Sequence, residues 1–255
     1  MSAGRVILIS GATGGFGRAA AEMFAEEGAR LVLTDRDAEP LAALAESLGP
    51  ETAWHAGDIA DPETSRAWIA TALARFGRID GAFNNAGIEH RMSWFAGMDP
   101  EISRQVFEVN VLGVQFAMQA QLGQMISQAR AGSGGGAILN TASAAGVASA
   151  PKLGAYSASK HAVVGLTRTA AVESARFGVR VNALCPAFFK TRMVMEGIVR
   201  DFETEAEGLT KLGAGIPMAR IGEVPEVLPA IRFALDPANS FFTGQTLVLD
   251  GGLTA

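Results

Sequence analysis

Residues 6–17 of the chain read Val6-Ile7-Leu8-Ile9-Ser10-Gly11-Ala12-Thr13-Gly14-Gly15-Phe16-Gly17. The apolar run at 6–9 predicts a short buried strand, and the glycines after it predict a tight turn that opens a helix. In such a turn the backbone N–H groups approach a pyrophosphate, and the helix N-terminus adds partial positive charge. The residues predicted to bind a dinucleotide here are Gly11, Thr13, Gly14, Gly15, Phe16 and Gly17.

The residues that follow this turn indicate which nucleotide it binds. Arg18 follows Gly17, so the lysine of a phosphate-binding NTPase loop is missing and that class is disfavoured. Asp35 ends the next apolar run, 18 residues after Gly17. A carboxylate there accepts hydrogen bonds from the adenosine ribose and repels a 2′-phosphate. The sequence therefore predicts NAD as the cofactor, with NADP second because Arg36 could pair with a 2′-phosphate.

Short apolar runs alternate with helical patterns along the rest of the chain, which is typical of βαβ units. The predicted strands are Val6–Ser10, Leu31–Thr34, Ala53–His55, Gly81–Asn84, Ala137–Thr141, Arg180–Leu184 and Thr246–Leu249. The predicted helices are Gly17–Glu27, Pro40–Leu48, Pro62–Phe76, Pro100–Ala129, Ala155–Phe177 and Val224–Leu235. We therefore predict the α/β class: a single-domain, Rossmann-type, doubly wound parallel sheet of about seven strands flanked by helices, over residues 1–255. Residues 188–217 lack this regularity and are predicted to form a substrate lid.

Composition limits the partners and the compartment. Hydrophobic residues make up 49% of the chain and charged residues 18%, with a formal net charge of −5. This mild acidity argues against a nucleic-acid or anionic-membrane surface, and no apolar run is long enough to span a bilayer. Cys185 is the only cysteine, which favours a reducing cytoplasm. The three histidines are too far apart in sequence for a zinc motif, so no metal site is expected.

The segment Tyr156-Ser157-Ala158-Ser159-Lys160 lies in a helical pattern, and residues four apart share a helix face. Free tyrosine titrates near pH 10, and a nearby cation typically lowers an acid's pKa by about 1–3. The positive nicotinamide of the oxidised cofactor would add to that effect. We therefore expect Lys160 and the bound cofactor to make Tyr156 an acid–base group for interconverting a hydroxyl and a carbonyl. Tyr156 is the only tyrosine in the chain, against 14 phenylalanines, so aromatic bulk does not require its hydroxyl.

Further motifs follow in order along the chain: Asp58, Asn84-Asn85-Ala86-Gly87, Asn110, Ser143, and Pro186 with Thr191. Together with the glycine turn and the Tyr156/Lys160 pair, they resemble the classical short-chain dehydrogenase/reductase family from about Arg5 to Gly252. Two positions depart from the family pattern. Ser10 stands where threonine is usual, and Ala187 replaces the usual glycine after Pro186.

The resemblance implies a role for each matching residue. Ser143 would hydrogen-bond the substrate oxygen beside Tyr156, Lys160 would also hold the nicotinamide ribose, and Asn110 would anchor a water that relays protons. Asp58 and Ile59 would flank the adenine. The remaining cofactor contacts would come from Asn85, Ala86, Gly87, Pro186, Phe188, Phe189 and Thr191.

The pocket walls are predicted from the segments 88–98, 144–153 and 188–202, whose side chains are mainly apolar. The predicted pocket residues are Trp94, Ala145, Val147, Leu153, Phe188, Met193 and Met195. Such a lining favours a medium-sized hydrophobic secondary alcohol or ketone, cyclic, aryl or steroid-like. A segment of three polar residues, Glu89, His90 and Arg91, could instead recognise a polar tail.

Three other functions are weighed against this one. A 3-oxoacyl-[acyl-carrier-protein] reductase using NADPH shares the motifs, but Asp35 and the net charge weigh against it. A regulator that binds the cofactor without turnover is disfavoured by the intact Ser143, Tyr156 and Lys160 set. A serine hydrolase is disfavoured because the residues around Ser143 lack the glycines of a nucleophile elbow. By the family resemblance we expect a homotetramer, with a dimer second.

Overall fold

The computed structural model describes residues 2–255, with the backbone alone at Asp201; Met1 of the predicted domain lies outside the described residues. The strands found there are β1 (Val6–Ser10), β2 (Arg30–Asp35), β3 (Thr52–Ala56), β4 (Gly81–Asn84), β5 (Gly136–Thr141), β6 (Val179–Pro186) and β7 (Thr246–Leu249). They form one parallel sheet in the order β3-β2-β1-β4-β5-β6-β7. Every strand lies within two residues of its predicted position. The predicted doubly wound α/β fold is confirmed.

Helices connect the strands and cover both faces of the sheet. They are α1 (Gly15–Glu26), α2 (Ala38–Leu48), α3 (Pro62–Phe76), α4 (Pro100–Phe107), α5 (Gly113–Arg130), α6 (Gly154–Ser174), α7 (Arg192–Gly197), α8 (Glu205–Ala214) and α9 (Leu228–Leu235). The start of α3 shows why the boundaries are readable from sequence. The Asp61 carboxylate accepts from the Glu63 N–H at 2.9 Å, Pro62 occupies the first turn, and Gly77 ends the helix at φ 76°.

The core consists of two apolar layers, one on each face of the sheet. Trp68 of α3 and Val163 of α6 belong to one layer, whereas Phe24 of α1 and Ile231 of α9 belong to the other. The sheet is therefore buried on both sides, as parallel sheets are. Its strand order reverses between β1 and β4, so the carboxyl ends of these two strands border a crevice, the usual ligand position in open α/β folds.

Four predictions about helical segments need correction. The predicted helix Ala155–Phe177 is α-helical only to Ser174 and ends in a 3₁₀ turn at Ala175–Phe177. The predicted helix Pro100–Ala129 is interrupted by a π-helical turn at Glu108–Leu112. The lid segment 188–217 was predicted to be irregular, yet it contains α7 and α8. The predicted helix Val224–Leu235 begins with a 3₁₀ turn at Val224–Val227. These deviations arise from tertiary contacts or short elements, neither of which leaves a clear periodic signal.

Candidate active site

The glycine turn after β1 is shaped so that backbone, not side chain, faces the crevice. A Cβ added to Gly11, which has φ +60°, would lie 2.9 Å from the Cα of Ala86, and one added to Gly17 would lie 2.0 Å from the Gly11 carbonyl oxygen. Gly14 caps α1 without a side-chain hydrogen bond. The first N–H groups of α1 are therefore available for an anion, and the turn fits a pyrophosphate.

Asp35 is tied to this turn from the end of β2. Its Oδ2 accepts hydrogen bonds from the Thr13 backbone N–H at 2.9 Å and the Thr13 hydroxyl at 2.6 Å, and its Oδ1 accepts from the Arg36 N–H at 2.8 Å. A carboxylate offers about four lone-pair positions, so one acceptor position remains for a ribose hydroxyl. The Arg36 guanidinium is exposed, with its Nε 3.5 Å from Asp37.

The two central strands are joined at their carboxyl ends by the hydroxyl of Ser10. It accepts hydrogen bonds from the backbone N–H groups of Asn85 at 3.0 Å and Ala86 at 3.2 Å. The hydroxyl is the part of the usual threonine that this position uses, so serine replaces it without losing the contact. Asn85 also donates from its side chain to the Gly11 carbonyl at 3.1 Å. Thus the glycine turn and the 85–87 segment are hydrogen-bonded into one continuous surface, which we call the floor of the crevice.

Ser143, Tyr156 and Lys160 converge beside this floor. The side chains of Ser143 and Tyr156 share a hydrogen bond. The Ser143 hydroxyl also accepts from the Ala145 N–H at 3.1 Å. The Lys160 ammonium donates to the Thr141 carbonyl at 2.8 Å and lies 5.6 Å from the centroid of the Tyr156 ring. A hydroxyl pair and a cation on one wall form an arrangement able to bind a substrate oxygen and to move its proton.

The pKa values of this group are governed by burial. Burial raises the pKa of Tyr156 to about 12, against the lowering effect of the hydrogen bond with Ser143. Burial also lowers the pKa of Lys160 to about 8. The sequence predicted a lowered pKa for Tyr156. With protein groups alone around the ring the direction is the opposite, because removing the phenolate from water outweighs its hydrogen bond.

Asn110 does not line the cavity; its side chain instead contacts the residues that support the Ser143, Tyr156 and Lys160 group. Its Oδ1 accepts from the Ile88 N–H at 2.8 Å, and its Nδ2 donates to the Ile88 carbonyl at 2.8 Å and to the Ser159 hydroxyl at 3.1 Å. It lies in the π turn that interrupts the predicted helix, and such turns are frequent at functional sites. Gly87 fits between this asparagine and the lysine, since an added Cβ would lie 3.2 Å from Asn110 Oδ1 and 3.3 Å from Lys160 Nζ.

The segment after β6 closes the same crevice. Phe189 packs edge-on against Phe16 with ring centroids 5.3 Å apart. The Thr191 hydroxyl caps α7 by accepting from the Val194 N–H at 3.5 Å. A Cβ on Gly15 would lie 3.1 Å from the Thr191 methyl carbon, so this segment lies directly against the glycine turn. Ala187 does not have a positive φ, so its methyl group causes no backbone strain.

These residues line one cavity of about 1310 Å³, larger than the roughly 300–1,000 Å³ of a typical site for one small ligand. It therefore has room for both a dinucleotide and a substrate. The sequence-predicted residues on its wall are Gly11, Thr13, Gly14, Gly15, Phe16, Asp35, Arg36, Asp58, Ile59, Asn85, Ala86, Gly87, Ser143, Ala145, Leu153, Tyr156, Lys160, Pro186, Phe188, Phe189, Thr191 and Met193. Gly17 is buried inside the turn.

Three residues predicted for the pocket do not line it. Trp94 is 73% exposed, and the ammonium of Lys152 lies 4.9 Å from its ring centroid on the outer surface. Val147 is exposed at the end of a 3₁₀ turn. Met195 lies about 200° around α7 from Met193, because residues two apart are on opposite sides of a helix.

Several lining residues were not predicted individually. They include Ile198 and Phe202 between α7 and α8, Lys211 and Leu212 of α8, and Leu253 and Thr254 near the C-terminus. The hydrophobic lid pattern indicated only the first two. Glu89 also lines the cavity, although the sequence suggested it only as part of a polar group with His90 and Arg91.

The described residues give little support for a reactive cysteine, a metal site or a membrane-spanning helix. Burial raises the pKa of Cys185 to about 11, which leaves its thiol protonated at neutral pH. Within residues 2–255, no group of three His, Cys, Asp or Glu side chains is arranged to hold a metal ion. No helix in that range is both long and apolar enough for a membrane crossing.

Known proteins match the whole length of this fold and site. A family model described as enoyl-(acyl carrier protein) reductase matches residues 11–254. The 2,5-dichloro-2,5-cyclohexadiene-1,4-diol dehydrogenase of Sphingobium indicum is 39% identical over 252 residues, covering 99% of this chain and 98% of that protein. The crystal structure of levodione reductase has a TM-score of 0.93 at 33% identity, covering 99% and 98% of the two chains. A short-chain type dehydrogenase/reductase from Mycobacterium marinum has a TM-score of 0.89 at 30% identity, covering 100% and 97%.

Proposed function

The chain belongs to the short-chain dehydrogenase/reductase family and is an oxidoreductase of alcohols and ketones; from this premise we propose that it uses NAD to interconvert a ring secondary alcohol and its ketone. The observation that carries the proposal is that Ser143, Tyr156 and Lys160 line the same cavity as the glycine turn. A dinucleotide bound along the turn supplies the hydride acceptor or donor.

In this proposal the protein's own groups handle the substrate oxygen and its proton. Ser143 hydrogen-bonds the oxygen, and Tyr156 exchanges the proton with it. Because burial holds the pKa of Tyr156 at about 12 with protein groups alone, its hydroxyl is present at neutral pH and can protonate a ketone oxygen. Removal of an alcohol proton requires the phenolate, so oxidation of alcohols should be favoured at alkaline pH.

The choice of NAD over NADP rests on Asp35. Its carboxylate reaches the glycine turn through Thr13, which holds it where the adenosine ribose of a bound dinucleotide would lie. Asp58 and Ile59 line the cavity beyond it and offer a position for the adenine. A second phosphate on the ribose would meet the negative charge of Asp35, whereas the neutral ribose hydroxyls find an acceptor.

The ring alcohol is proposed from the walls of the remaining space. Leu153, Phe188, Met193 and Ile198 provide apolar surface in the same cavity as Tyr156. Such a lining binds a nonpolar body and leaves orientation to a few polar groups. The name of the Sphingobium relative specifies a six-membered ring with hydroxyl groups, which supports a substrate of this kind for the present chain. Self-association as a homotetramer stays a prediction from the sequence.

The decisive experiment follows reduced-nicotinamide absorbance with cyclohexanol and cyclohexanone, using both coenzymes. Tyr156→Phe should lower kcat by about 10²–10⁴-fold with little change in coenzyme affinity, because it removes the hydroxyl and keeps the ring. The matched control is Thr169→Val, which deletes an exposed hydroxyl on the same helix and should leave the rate unchanged.

Undiminished turnover in Tyr156→Phe would refute the proposed chemistry. A different outcome would favour the alternative suggested by the family model's description. If the protein reduces a 3-oxoacyl thioester with NADPH but turns over no ring alcohol or ketone, an acyl-carrier-protein reductase is the better assignment.

A further inference from the structure

Glu89 occupies a fixed position in the substrate half of the cavity. It directly follows Ile88, whose backbone N–H and carbonyl are both held by Asn110 at 2.8 Å. The carboxyl group of Glu89 lines the same cavity as Ser143 and Tyr156, and its charge raises the pKa of Tyr156. The side chain is thus held on a rigid backbone within electrostatic reach of the reacting groups.

The carboxyl group also contacts the lid. A Cβ added to Gly197 of α7 would lie 1.8 Å from Glu89 Oε1, so only glycine leaves room for the carboxylate there. This contact is to the backbone region of a glycine and provides packing, not charge compensation. Glu89 is therefore positioned between the end of β4 and α7, where a ring substrate would lie against Leu153 and Met193.

The cations of the cavity do not neutralise Glu89. In the described part of the chain they have the following partners: Arg36 lies 3.5 Å from Asp37, Lys160 donates to the Thr141 carbonyl at 2.8 Å, Arg192 pairs with Glu196 at 2.9 Å, and Lys211 pairs with Glu207 at 2.6 Å. Burial raises the pKa of Glu89 to about 7. Near neutral pH its acid form can donate one hydrogen bond and accept others.

A half-buried carboxyl group on an apolar wall is costly unless a ligand satisfies its hydrogen bonds. We propose that Glu89 is a specificity-determining residue that hydrogen-bonds a second oxygen of the substrate. The substrates are then ring alcohols or ketones that carry another hydroxyl or carbonyl group away from the reacting carbon. This inference rests on the proposed function and names its substrate class.

Either protonation state of Glu89 can bind an uncharged oxygen. The carboxylate accepts a hydrogen bond from a hydroxyl, and the carboxylic acid donates one to a carbonyl, so one side chain serves both a diol and a hydroxyketone. A cationic amine would need the fully ionised carboxylate. A substrate amine is therefore the competing ligand that the experiment must distinguish.

The experiment compares two para-substituted cyclohexanols that differ in one group: cyclohexane-1,4-diol and 4-methylcyclohexanol. The measured quantity is the ratio of their kcat/KM values. Glu89→Leu should lower this diol/methyl ratio by about 10- to 100-fold, mainly through KM for the diol. Glu89→Gln, which keeps an acceptor and a donor, should retain most of it. Glu205→Leu, which removes an exposed carboxylate in the first turn of α8 that does not line the cavity, is the matched control and should leave the ratio unchanged.

Binding is measured separately from turnover by the rise in Tm with each compound. The diol should raise the Tm of the wild-type protein more than the methyl compound does, and Glu89→Leu should remove the difference. If only this binding difference is found and no ring alcohol is oxidised, the proposed function fails, whereas the assignment of Glu89 as the residue that binds a second oxygen of the ligand stands.

Three results would overturn the inference itself. One is a diol/methyl ratio that does not change in Glu89→Leu, with no change in the Tm difference. Another is an equal loss with both alcohols, since that indicates a structural role. The third is a stronger dependence on Glu89 for 4-aminocyclohexanol than for the diol, which would assign the carboxylate to a cation.

Discussion

Replacing Asp35 by serine should convert the coenzyme preference. The carboxylate accepts three hydrogen bonds, from the Thr13 N–H, the Thr13 hydroxyl and the Arg36 N–H. Asp35→Ser releases these donors at the place where a 2′-phosphate would lie, and it leaves the exposed Arg36 guanidinium within the same region. The change therefore removes a repulsive charge and exposes an anion-binding group of donors in one step.

The size of the effect can be worked from these contacts. Two unit charges about 4 Å apart interact by about 4 kcal/mol near a protein surface, and salt reduces this value. On the NAD side, a lost hydrogen bond to a charged acceptor costs about 1.5–3 kcal/mol. Even with strong screening, the two terms together should reach about 3 kcal/mol, which is about 100-fold in the NADP/NAD ratio of kcat/KM.

The assay is initial-rate kinetics with one alcohol and both coenzymes, supported by coenzyme titrations that do not depend on turnover. Glu39→Gln is the matched control, because it removes one negative charge four residues away, in the exposed first turn of α2 outside the cavity lining, and it should change the ratio by less than about fivefold. A folded Asp35→Ser variant whose NADP/NAD ratio stays within about threefold of the wild type would refute the reasoning.

Two further predictions concern the supports of the site. Asn110→Ala should lower the free energy of unfolding by about 2–4 kcal/mol, because the Ile88 N–H and carbonyl lose their buried partner. Urea unfolding measures this change, and Asn239→Ala, which removes a solvent-exposed hydrogen bond to the Phe233 carbonyl, should cost less than about 1 kcal/mol. A cost for Asn110→Ala no larger than that control would contradict the support role. Glu89 has a folded pKa of about 7 against an ordinary value of 4.5, so its contribution to stability is present below pH 4.5 and lost as pH rises to 7. The Tm of the wild type should therefore fall relative to Glu89→Gln across that range, and a constant difference would show that the folded pKa is not raised.

The sheet could be predicted from sequence because local signals and tertiary structure agree there. The run Val6–Ile9 is apolar throughout because the strand is buried on both faces, and Pro62 with Gly77 gives α3 unambiguous ends. The glycine turn and Asp35 come together because both lie at carboxyl ends of neighbouring parallel strands. Position along a strand was therefore enough to place them.

The interrupted helix could not be predicted in the same way. Residues 100–129 have a helical pattern throughout, and the π turn depends on Asn110 reaching the backbone of Ile88, a contact across the fold. The pocket wall has the same limitation. Trp94 and Met193 are both large and apolar, yet only Met193 lines the cavity, because the direction of a side chain in an irregular or short helical segment depends on packing.

The pKa of Tyr156 shows why a motif does not fix the state of its residues. Spacing correctly brings Lys160 near the phenol, but both groups lie in a low-dielectric wall, where desolvation disfavours the phenolate and the ammonium alike. The chain's own groups therefore keep Tyr156 as an acid. To act as a base in alcohol oxidation it needs further positive charge close to the ring, of the kind an oxidised nicotinamide carries. Since burial lowers the pKa of Lys160 to about 8, the positive charge that the protein itself can contribute declines in the alkaline range, where the phenolate would otherwise begin to form.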